Sequence, residues 1–233
     1  MADSQLDSKK TDLRIKEAFY TLQGEGARSG RASVFIRFSK CNLWNGRESG
    51  RAAALCQFCD TDITGIDGEN GGIYSPTSLL DLALTLWPSG SGGAPYVVFT
   101  GGEPALQLTA ELVSAFKVAG FETAVESNGT LPLPSNLDWV CISPKGKSEL
   151  VIKECDELKL VYPQDDLQPQ QVAHIRARHY FISPMAHFGE TLGAENESSG
   201  MIMRENMQAA TQFCLQHPKW RMSLQTHKLL GIA

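Results

Sequence analysis

The sequence lacks the long apolar runs and the basic clusters that mark membrane proteins and nucleic-acid-binding proteins. No apolar run approaches the ~20 residues that a helix needs to cross a bilayer, and the first 12 residues are polar, unlike a secretory signal. The 21 Lys and Arg residues are scattered among 26 Asp and Glu, which gives a formal net charge of −5. We therefore expect a cytoplasmic protein with no membrane partner and no nucleic-acid partner.

Cysteine is also scarce, since 6 in 233 residues are too few for a disulfide scaffold, and this favours a reducing compartment. The chain has no G-x-x-x-x-G-K-S/T phosphate loop, no G-x-G-x-x-G turn and no G-x-S-x-G elbow. These absences disfavour nucleoside triphosphates, dinucleotides and a serine nucleophile. What remains is an ordinary globular composition, with 42% hydrophobic and 20% charged residues.

Apolar, β-rich runs recur along the chain and alternate in part with helical patterns. The predicted strands are 14–20, 33–38, 96–100, 121–126, 139–143, 158–162, 180–183 and 221–225, and the predicted helices are 76–86, 108–119, 169–177 and 201–216. Strand, helix and strand in succession indicate right-handed crossovers and a mostly parallel sheet. Because helices are fewer than strands, we predict an α/β fold with an incomplete, TIM-like barrel. It would form one domain, 13–233, after a disordered polar tail, 1–12.

Polar or glycine-rich motifs follow the ends of several predicted strands. They are Cys41, TGGEP at 100–104, ESNG at 126–129, SPK at 143–145, SPM at 183–185 and QTHK at 225–228. Active sites of parallel α/β proteins gather at the carboxyl ends of the strands. The motifs therefore predict the rim of one pocket.

Three cysteines, Cys41, Cys56 and Cys59, lie in one stretch, and no fourth protein ligand is evident nearby. A closed structural zinc site has four ligands, whereas three thiolates leave a position for a reacting group. The residues alone leave zinc, an iron–sulfur cluster and no metal as alternatives. The hard oxygens of 60–62, directly after the last cysteine, suit magnesium or are simply solvated.

Two other side chains are candidates for ligand binding. Arg37 lies on an apolar strand and needs a partner if it is buried, either a ligand carboxylate or, as is more common, an acidic side chain. His227 is either a base or a hydrogen-bonded structural residue. The glycines of 23–26 and of TGGEP either let backbone approach a ligand closely or form ordinary turns.

Seven motifs occur along the chain in the order FYTLQGEG (19–26), RFSKCNLW (37–44), CQFCDTD (56–62), TGGEP, ESNG, SPK and QTHK. Together they resemble the motifs of the radical S-adenosylmethionine enzymes and, within them, of the 7-carboxy-7-deazaguanine synthase family. The chain departs from the usual C-x-x-x-C-x-x-C spacing because 14 residues separate Cys41 from Cys56. An enlarged cluster-binding loop of this kind, here 41–59, is known among the synthases.

The resemblance implies that the thiolates of Cys41, Cys56 and Cys59 hold a 4Fe–4S cluster whose fourth iron binds S-adenosylmethionine. The implied activity is that of a lyase: radical ring contraction of 6-carboxy-5,6,7,8-tetrahydropterin, with loss of ammonia, to 7-carboxy-7-deazaguanine. S-adenosylmethionine is used catalytically, and the product enters queuosine or other 7-deazapurine biosynthesis. A homodimer and an electron donor such as flavodoxin or ferredoxin are also implied.

Matching positions imply a role for individual residues. The cofactor-binding residues would be Phe58, Cys59, Asp60, Gly102, Glu126, Ser143, Pro144 and Lys145, and the magnesium ligand would be Thr61. The substrate-binding residues would be Leu22, Gln23, Gly24, Arg37, Thr100, Ser183, Pro184, Met185, Ala186, His227 and the carboxylate of Ala233. Arg37 would bind the carboxylate of the pterin.

Segment 183–186 departs from the family, because related synthases often carry Gln-Pro-Met-Asp where this chain has Ser-Pro-Met-Ala. Either water or Glu190, Glu195 or Asn196 replaces the missing contacts, or the substrate differs. Two other functions remain as alternatives: a glycyl-radical activase that acts on a protein, and a zinc-stapled binding module without turnover.

Overall fold

The computed structural model describes residues 12–90, 92–186 and 197–232. The strands are β1 (Leu13–Leu22), β2 (Ala32–Phe38), β3 (Gly72–Tyr74), β4 (Tyr96–Gly101), β5 (Glu122–Ser127), β6 (Trp139–Ile142), β7 (Glu154–Tyr162), β8 (Arg176–Pro184) and β9 (Trp220–Met222). The α-helices are α1 (Pro76–Leu86), α2 (Ala110–Val118), α3 (Pro169–Val172), α4 (Glu197–Gln216) and α5 (Thr226–Leu230). Within these residues, no helix is long and apolar enough to cross a membrane.

All nine described strands belong to one sheet, in the order β3-β1-β2-β4-β5-β6-β7-β8-β9. Strand β1 pairs antiparallel with β2 and with β3, and every later pair is parallel. The end strands β3 and β9 do not pair with each other, so the sheet stays open. This confirms the predicted α/β fold with an incomplete barrel. The division into a tail, 1–12, and one domain, 13–233, stays a prediction.

The packing explains why the central strands read as continuous apolar runs. Five of the six residues of β4 are buried, because helices cover its outer face and the barrel interior covers its inner face. Phe99 on this strand packs edge-on against Phe116 of α2, with ring centroids 5.1 Å apart. Helix α1 begins as the sequence predicts, since Ser75 and Ser78 form a capping box and Pro76 occupies the first turn.

Some predicted boundaries are wrong. The helix predicted at 169–177 ends at Val172, because Arg176 already begins β8 and pairs with β7. The last strand runs over Trp220–Met222 instead of 221–225, and β3 and α5 were not predicted. Both missed elements have five residues or fewer, so no periodicity could reveal them.

Two arginines close the amino-terminal end of the barrel. The guanidinium of Arg28 lies 4.3 Å from the ring centroid of Trp139, and that of Arg31 lies 3.9 Å from the ring centroid of Tyr96. Glu122 accepts from both arginines, at 2.7 and 2.6 Å. This layer gives the barrel a floor and leaves its carboxyl end as the open side.

Candidate active site

A cavity of about 620 Å³ lies at the carboxyl ends of the strands. Strands β1, β2, β4, β5, β7 and β8 contribute residues to its wall, and the loops that follow strands, among them 56–62, and the segment 225–228 contribute the rest. The motifs that the sequence predicted to share one pocket therefore meet in one cavity. Its position follows from the parallel strands, whose carboxyl ends all reach the same edge of the sheet.

Most of the predicted site residues line this cavity. They are Leu22, Gln23, Gly24, Arg37, Cys56, Phe58, Cys59, Asp60, Thr61, Thr100, Gly102, Glu126, Ser143, Lys145, Ser183, Pro184, Met185, Ala186 and His227. Cys41 and Pro144 do not line it, although both adjoin residues near its wall. Ala233, Glu190, Glu195 and Asn196 lie outside the described residues, so their predicted roles stay predictions.

The three candidate ligand cysteines carry free thiols. The Cys41 Sγ accepts from the backbone N–H of Leu43 at 3.4 Å, and burial raises the pKa of this thiol. The hydrogen bond between Cys56 and Cys59 raises the pKa of Cys56 and lowers that of Cys59 to about 7. Two of the three thiols therefore lie within hydrogen-bond reach of each other, at the cavity wall.

These thiols are the soft ligands that an iron–sulfur cluster takes. In the part of the chain that is described, no group of three His, Cys, Asp or Glu residues is arranged to hold one ion. A closed zinc site also needs four protein ligands, and the three cysteines supply only three.

The TGGEP turn packs directly against the cysteine loop. A Cβ added to Gly102 would lie 1.9 Å from the carbonyl oxygen of Lys40, so only glycine fits at this contact. The next residue, Glu103, is fully buried and accepts from Ala105 N, Ser127 Oγ and Asn128 N. Glu103 therefore joins the ends of β4 and β5. This is the structural role expected if TGGEP forms an ordinary turn, which was one of the two alternatives that the sequence left open.

Arg37 lies at another part of the wall with an acidic partner. Its Nε donates to the Oε1 of Glu17 at 2.7 Å, and its side chain is 19% exposed. This contact is the more common of the two alternatives that the sequence left open. Because the bond uses only Nε, the terminal nitrogens of Arg37 have no partner among residues 12–90, 92–186 and 203–232.

The segment before and within α5 forms the wall next to the turn after β1. Thr226 donates to the carbonyl oxygen of Gly24 through both its N–H, at 2.9 Å, and its Oγ1, at 2.8 Å. The ring of His227 lies so close to Gly24 that an added Cβ would be 2.0 Å from Nδ1. Burial lowers the pKa of His227, which favours the neutral imidazole at this wall.

The candidate magnesium ligand Thr61 lies between two acidic residues. Its Oγ1 is 3.4 Å from the Oδ1 of Asp60, and the Oδ2 of the same carboxylate accepts from the Nζ of Lys228 at 2.6 Å. Burial acts to raise the pKa of Asp60, but Lys228 outweighs it and lowers that pKa overall. A carboxylate and a hydroxyl thus stand together at the cavity wall, and magnesium binding by Thr61 stays a prediction.

Segment 183–186 is held in place by the rest of the fold. Ser183 is buried, and the Nδ2 of Asn206 on α4 donates to the carbonyl oxygen of Met185 at 3.0 Å. Helix α4 therefore fixes the backbone of the segment that differs from the family pattern.

The sequence did not identify a group of buried charges on the wall. Lys159 on β7 lies between Glu25 and Glu126, at 2.5 and 3.2 Å, and its side chain is only 5% exposed. Lys16 on β1 pairs in the same way with Asp62 and Asp67, at 2.6 and 2.7 Å. A lysine within an otherwise apolar strand was the available signal, because such a residue must find an acidic partner on the inner face.

No family model matches the chain. Whole-chain comparison gives 48% identity over 94% of this chain and 98% of the 7-carboxy-7-deazaguanine synthase of Bordetella pertussis. The synthases of Bradyrhizobium diazoefficiens, at 48% identity, and of Nitratidesulfovibrio vulgaris, at 46%, are covered equally. The crystal structure of QueE from Escherichia coli superposes with a TM-score of 0.67 at 21% identity, over 91% of this chain and 93% of that one. The identity extends over nearly the whole of each curated relative, so the chain belongs to the 7-carboxy-7-deazaguanine synthase family.

Proposed function

We propose that this chain is a radical S-adenosylmethionine lyase that converts 6-carboxy-5,6,7,8-tetrahydropterin to 7-carboxy-7-deazaguanine, with loss of ammonia, in 7-deazapurine biosynthesis. The observation that carries the proposal is the cavity, whose wall includes Cys56 and Cys59 as well as Arg37, Gln23 and His227. Its volume of about 620 Å³ falls within the range of sites that enclose small molecules. A protein substrate, as for a glycyl-radical activase, would need a more open groove.

The thiols of Cys41, Cys56 and Cys59 would hold a 4Fe–4S cluster. When bound, the cluster would supply the electron for reductive cleavage of S-adenosylmethionine, which is the source of the radical chemistry on the pterin. The residues of the TGGEP, ESNG and SPK motifs that line the wall would bind S-adenosylmethionine, together with Phe58 and Asp60. Gly102 suits this role, since its missing side chain lets the turn approach the cysteine loop closely.

The chain's own groups would orient the pterin and keep water out. The terminal nitrogens of Arg37 would bind the pterin carboxylate as a planar fork, while Glu17 holds Nε in place. Gln23, Gly24, Thr100 and segment 183–186 would contact the ring. Orientation of this kind is essential, because an unconstrained radical reacts with any nearby C–H bond.

Magnesium, partners and location belong to the same proposal. Thr61 would supply one ligand to Mg²⁺, which usually keeps several waters and substrate oxygens in its octahedral shell. A small electron donor such as flavodoxin or ferredoxin would reduce the cluster, and the enzyme would act as a homodimer. An oxygen-sensitive cluster held by free thiols suits the reducing cytoplasm.

The decisive experiment is an anaerobic assay of iron–sulfur-reconstituted protein with reductant, Mg²⁺, S-adenosylmethionine and 6-carboxytetrahydropterin. Mass spectrometry should show 7-carboxy-7-deazaguanine, and the Cys59→Ala variant should produce none. If 5′-deoxyadenosine forms without that product, the substrate assignment is wrong and segment 183–186 becomes the first region to examine. A colourless protein that holds zinc and is indifferent to oxygen would instead favour the binding module.

A further inference from the structure

A closed ring of hydrogen bonds runs through the wall of the cavity. Lys159 Nζ contacts Glu25 Oε2 at 2.5 Å and Glu126 Oε2 at 3.2 Å, and Glu126 Oε1 accepts from Gln23 Nε2 at 2.9 Å. The ring closes where Gln23 Oε1 accepts from the backbone N–H of Glu25 at 3.1 Å. Gln225 joins from outside by donating to Glu25 Oε1 at 3.0 Å. Three separate segments of the chain, 23–25, 126 and 159, therefore form the ring, and Gln225 attaches a fourth segment through Glu25.

The ring fixes the orientation of each polar group in it. Because Gln23 Oε1 accepts from a backbone N–H, its amide nitrogen must face Glu126. Because Glu126 receives one donor on each oxygen, its carboxylate cannot rotate without breaking a bond. Lys159 is the sole cation in this ring and is also the member that joins Glu126 to Glu25.

Lys159 is held in its charged form by its surroundings. Burial acts to lower its pKa, but Glu126 and Glu25 together raise that pKa well above the ordinary value for lysine. Burial likewise acts to raise the pKa of Glu25, and Lys159 outweighs it and lowers that pKa. A buried ammonium with two carboxylate partners is expensive to separate, so the ring is rigid as long as Lys159 is present.

We propose that Lys159 is a positioning residue that holds Gln23 and Glu126 in the orientation needed at the junction of the pterin and S-adenosylmethionine subsites. This inference rests on the proposed function, since it takes Gln23 as a substrate contact and Glu126 as a cofactor contact. Lys159 acts through these two side chains and not on the reacting atoms. Loss of Lys159 should therefore weaken pterin binding and also let S-adenosylmethionine cleavage proceed without product formation.

The test compares wild-type protein with three variants. Lys159→Met removes the charge and keeps the length of the side chain. The double variant Lys159→Met/Glu25→Gln removes one charge of each sign and so restores the local net charge. Lys117→Met is the matched control, because Lys117 loses a similar ion pair, with Asp138, at a surface position that does not line the cavity.

Three quantities are measured for each protein. Anaerobic calorimetry gives the affinity of the cluster-free form for 6-carboxytetrahydropterin, and mass spectrometry gives the ratio of 5′-deoxyadenosine to 7-carboxy-7-deazaguanine made by the reconstituted form. The third quantity is the unfolding temperature. Lys159→Met should bind the pterin about tenfold or more weakly, as expected for losing charge-assisted hydrogen bonds, and should raise the ratio. The double variant should recover the unfolding temperature but neither the affinity nor the ratio. Lys117→Met should match wild type in affinity and ratio.

Two outcomes would overturn the inference. One is pterin binding by Lys159→Met within about twofold of wild type with an unchanged ratio. The other is a double variant that recovers both the affinity and the unfolding temperature. That result would mean that Lys159 only balances the charge of Glu25. If Lys159→Met does not fold, the double variant supplies the affinity comparison. Failure of the reconstituted wild-type protein to form 7-carboxy-7-deazaguanine would reject the proposed function itself, whereas the two outcomes above reject only the role of Lys159.

Discussion

Replacement of Gly102 by alanine tests whether the TGGEP turn supports the cysteine loop. The added Cβ would lie 1.9 Å from Lys40 O and 2.3 Å from Lys40 C, whereas ordinary contacts begin at 3.4 Å. Both atoms belong to the backbone, so no side-chain rotation can relieve the contact. The segment that carries Lys40 and Cys41 must therefore shift by about 1.5 Å, or the turn must shift away from it.

The size of the effect follows from the contacts that such a shift breaks. Overpacking of a well-packed position costs about 1–3 kcal/mol, and the hydrogen bond from Glu103 N to Lys40 O, 2.9 Å long, contributes about 1 kcal/mol. The free energy of unfolding should therefore fall by about 2–4 kcal/mol, which for a chain of this size lowers the unfolding temperature by about 4–16 °C. Because Cys41 moves as well, reconstituted Gly102→Ala protein should bind clearly less iron than wild type.

The assay is thermal unfolding of the cluster-free protein combined with iron analysis after anaerobic reconstitution. Gly93→Ala is the control, since among the described residues a Cβ at Gly93 meets only Trp87, at 3.8 Å, which is an ordinary contact. That variant should be as stable as wild type or slightly more stable, because alanine restricts the unfolded chain. Wild-type stability and full iron content in Gly102→Ala would refute the conclusion that this turn fixes the position of Cys41.

Three further substitutions test other parts of the site. Gly24→Ala places a Cβ 2.0 Å from His227 Nδ1 and should weaken pterin binding about tenfold. The affinity is measured by calorimetry on the cluster-free protein. An unchanged affinity would mean that His227 is not part of the wall. Hydrogen bonds from Lys16 and Thr64 lower the pKa of Asp62 from 3.8 to about 2. The pairing of Lys16 with Asp62 therefore stabilises the fold above pH 3.8, and that contribution fades as pH falls towards about 2. The deficit of Lys16→Met in urea midpoint should shrink over this interval, and a constant deficit would contradict the assignment. Glu103→Gln turns one acceptor of a fully buried side chain into a donor, so the free energy of unfolding measured in urea should fall by about 1–3 kcal/mol. An unchanged free energy of unfolding would mean that Glu103 is not bonded as described.

The fold was predictable from the sequence where one signal dominated. Helix α1 has the predicted bounds because a capping serine, a following proline and an apolar stripe all agree. The central strands were predicted from apolar runs, which a sheet buried on both faces requires. The helix at 169–177 failed because its pattern continues into β8, where pairing with the nine-residue β7 outweighs local propensity.

The residues of the site were predictable as far as the family motifs extend. Those motifs placed most of the wall, since most of them lie where a strand ends and CQFCDTD lies in the loop between β2 and β3. Lys159 and Glu25 escaped prediction because their importance arises from a contact across 134 positions of sequence, which periodicity cannot reveal. For Arg37 an acidic side chain was the more common of the two expected partners, but the sequence alone could not identify that partner as Glu17.

The bond between Thr226 and Gly24 joins residues that are 202 positions apart, and it bears on the order in which the enzyme is made. During synthesis the amino-terminal half leaves the ribosome first, so Cys41, Cys56 and Cys59 emerge long before Thr226 and His227. The wall next to Gly24 is therefore missing while the cysteine loop is already available. We expect iron delivery to be easiest in this interval, before Lys228 docks on Asp60, the neighbour of Cys59.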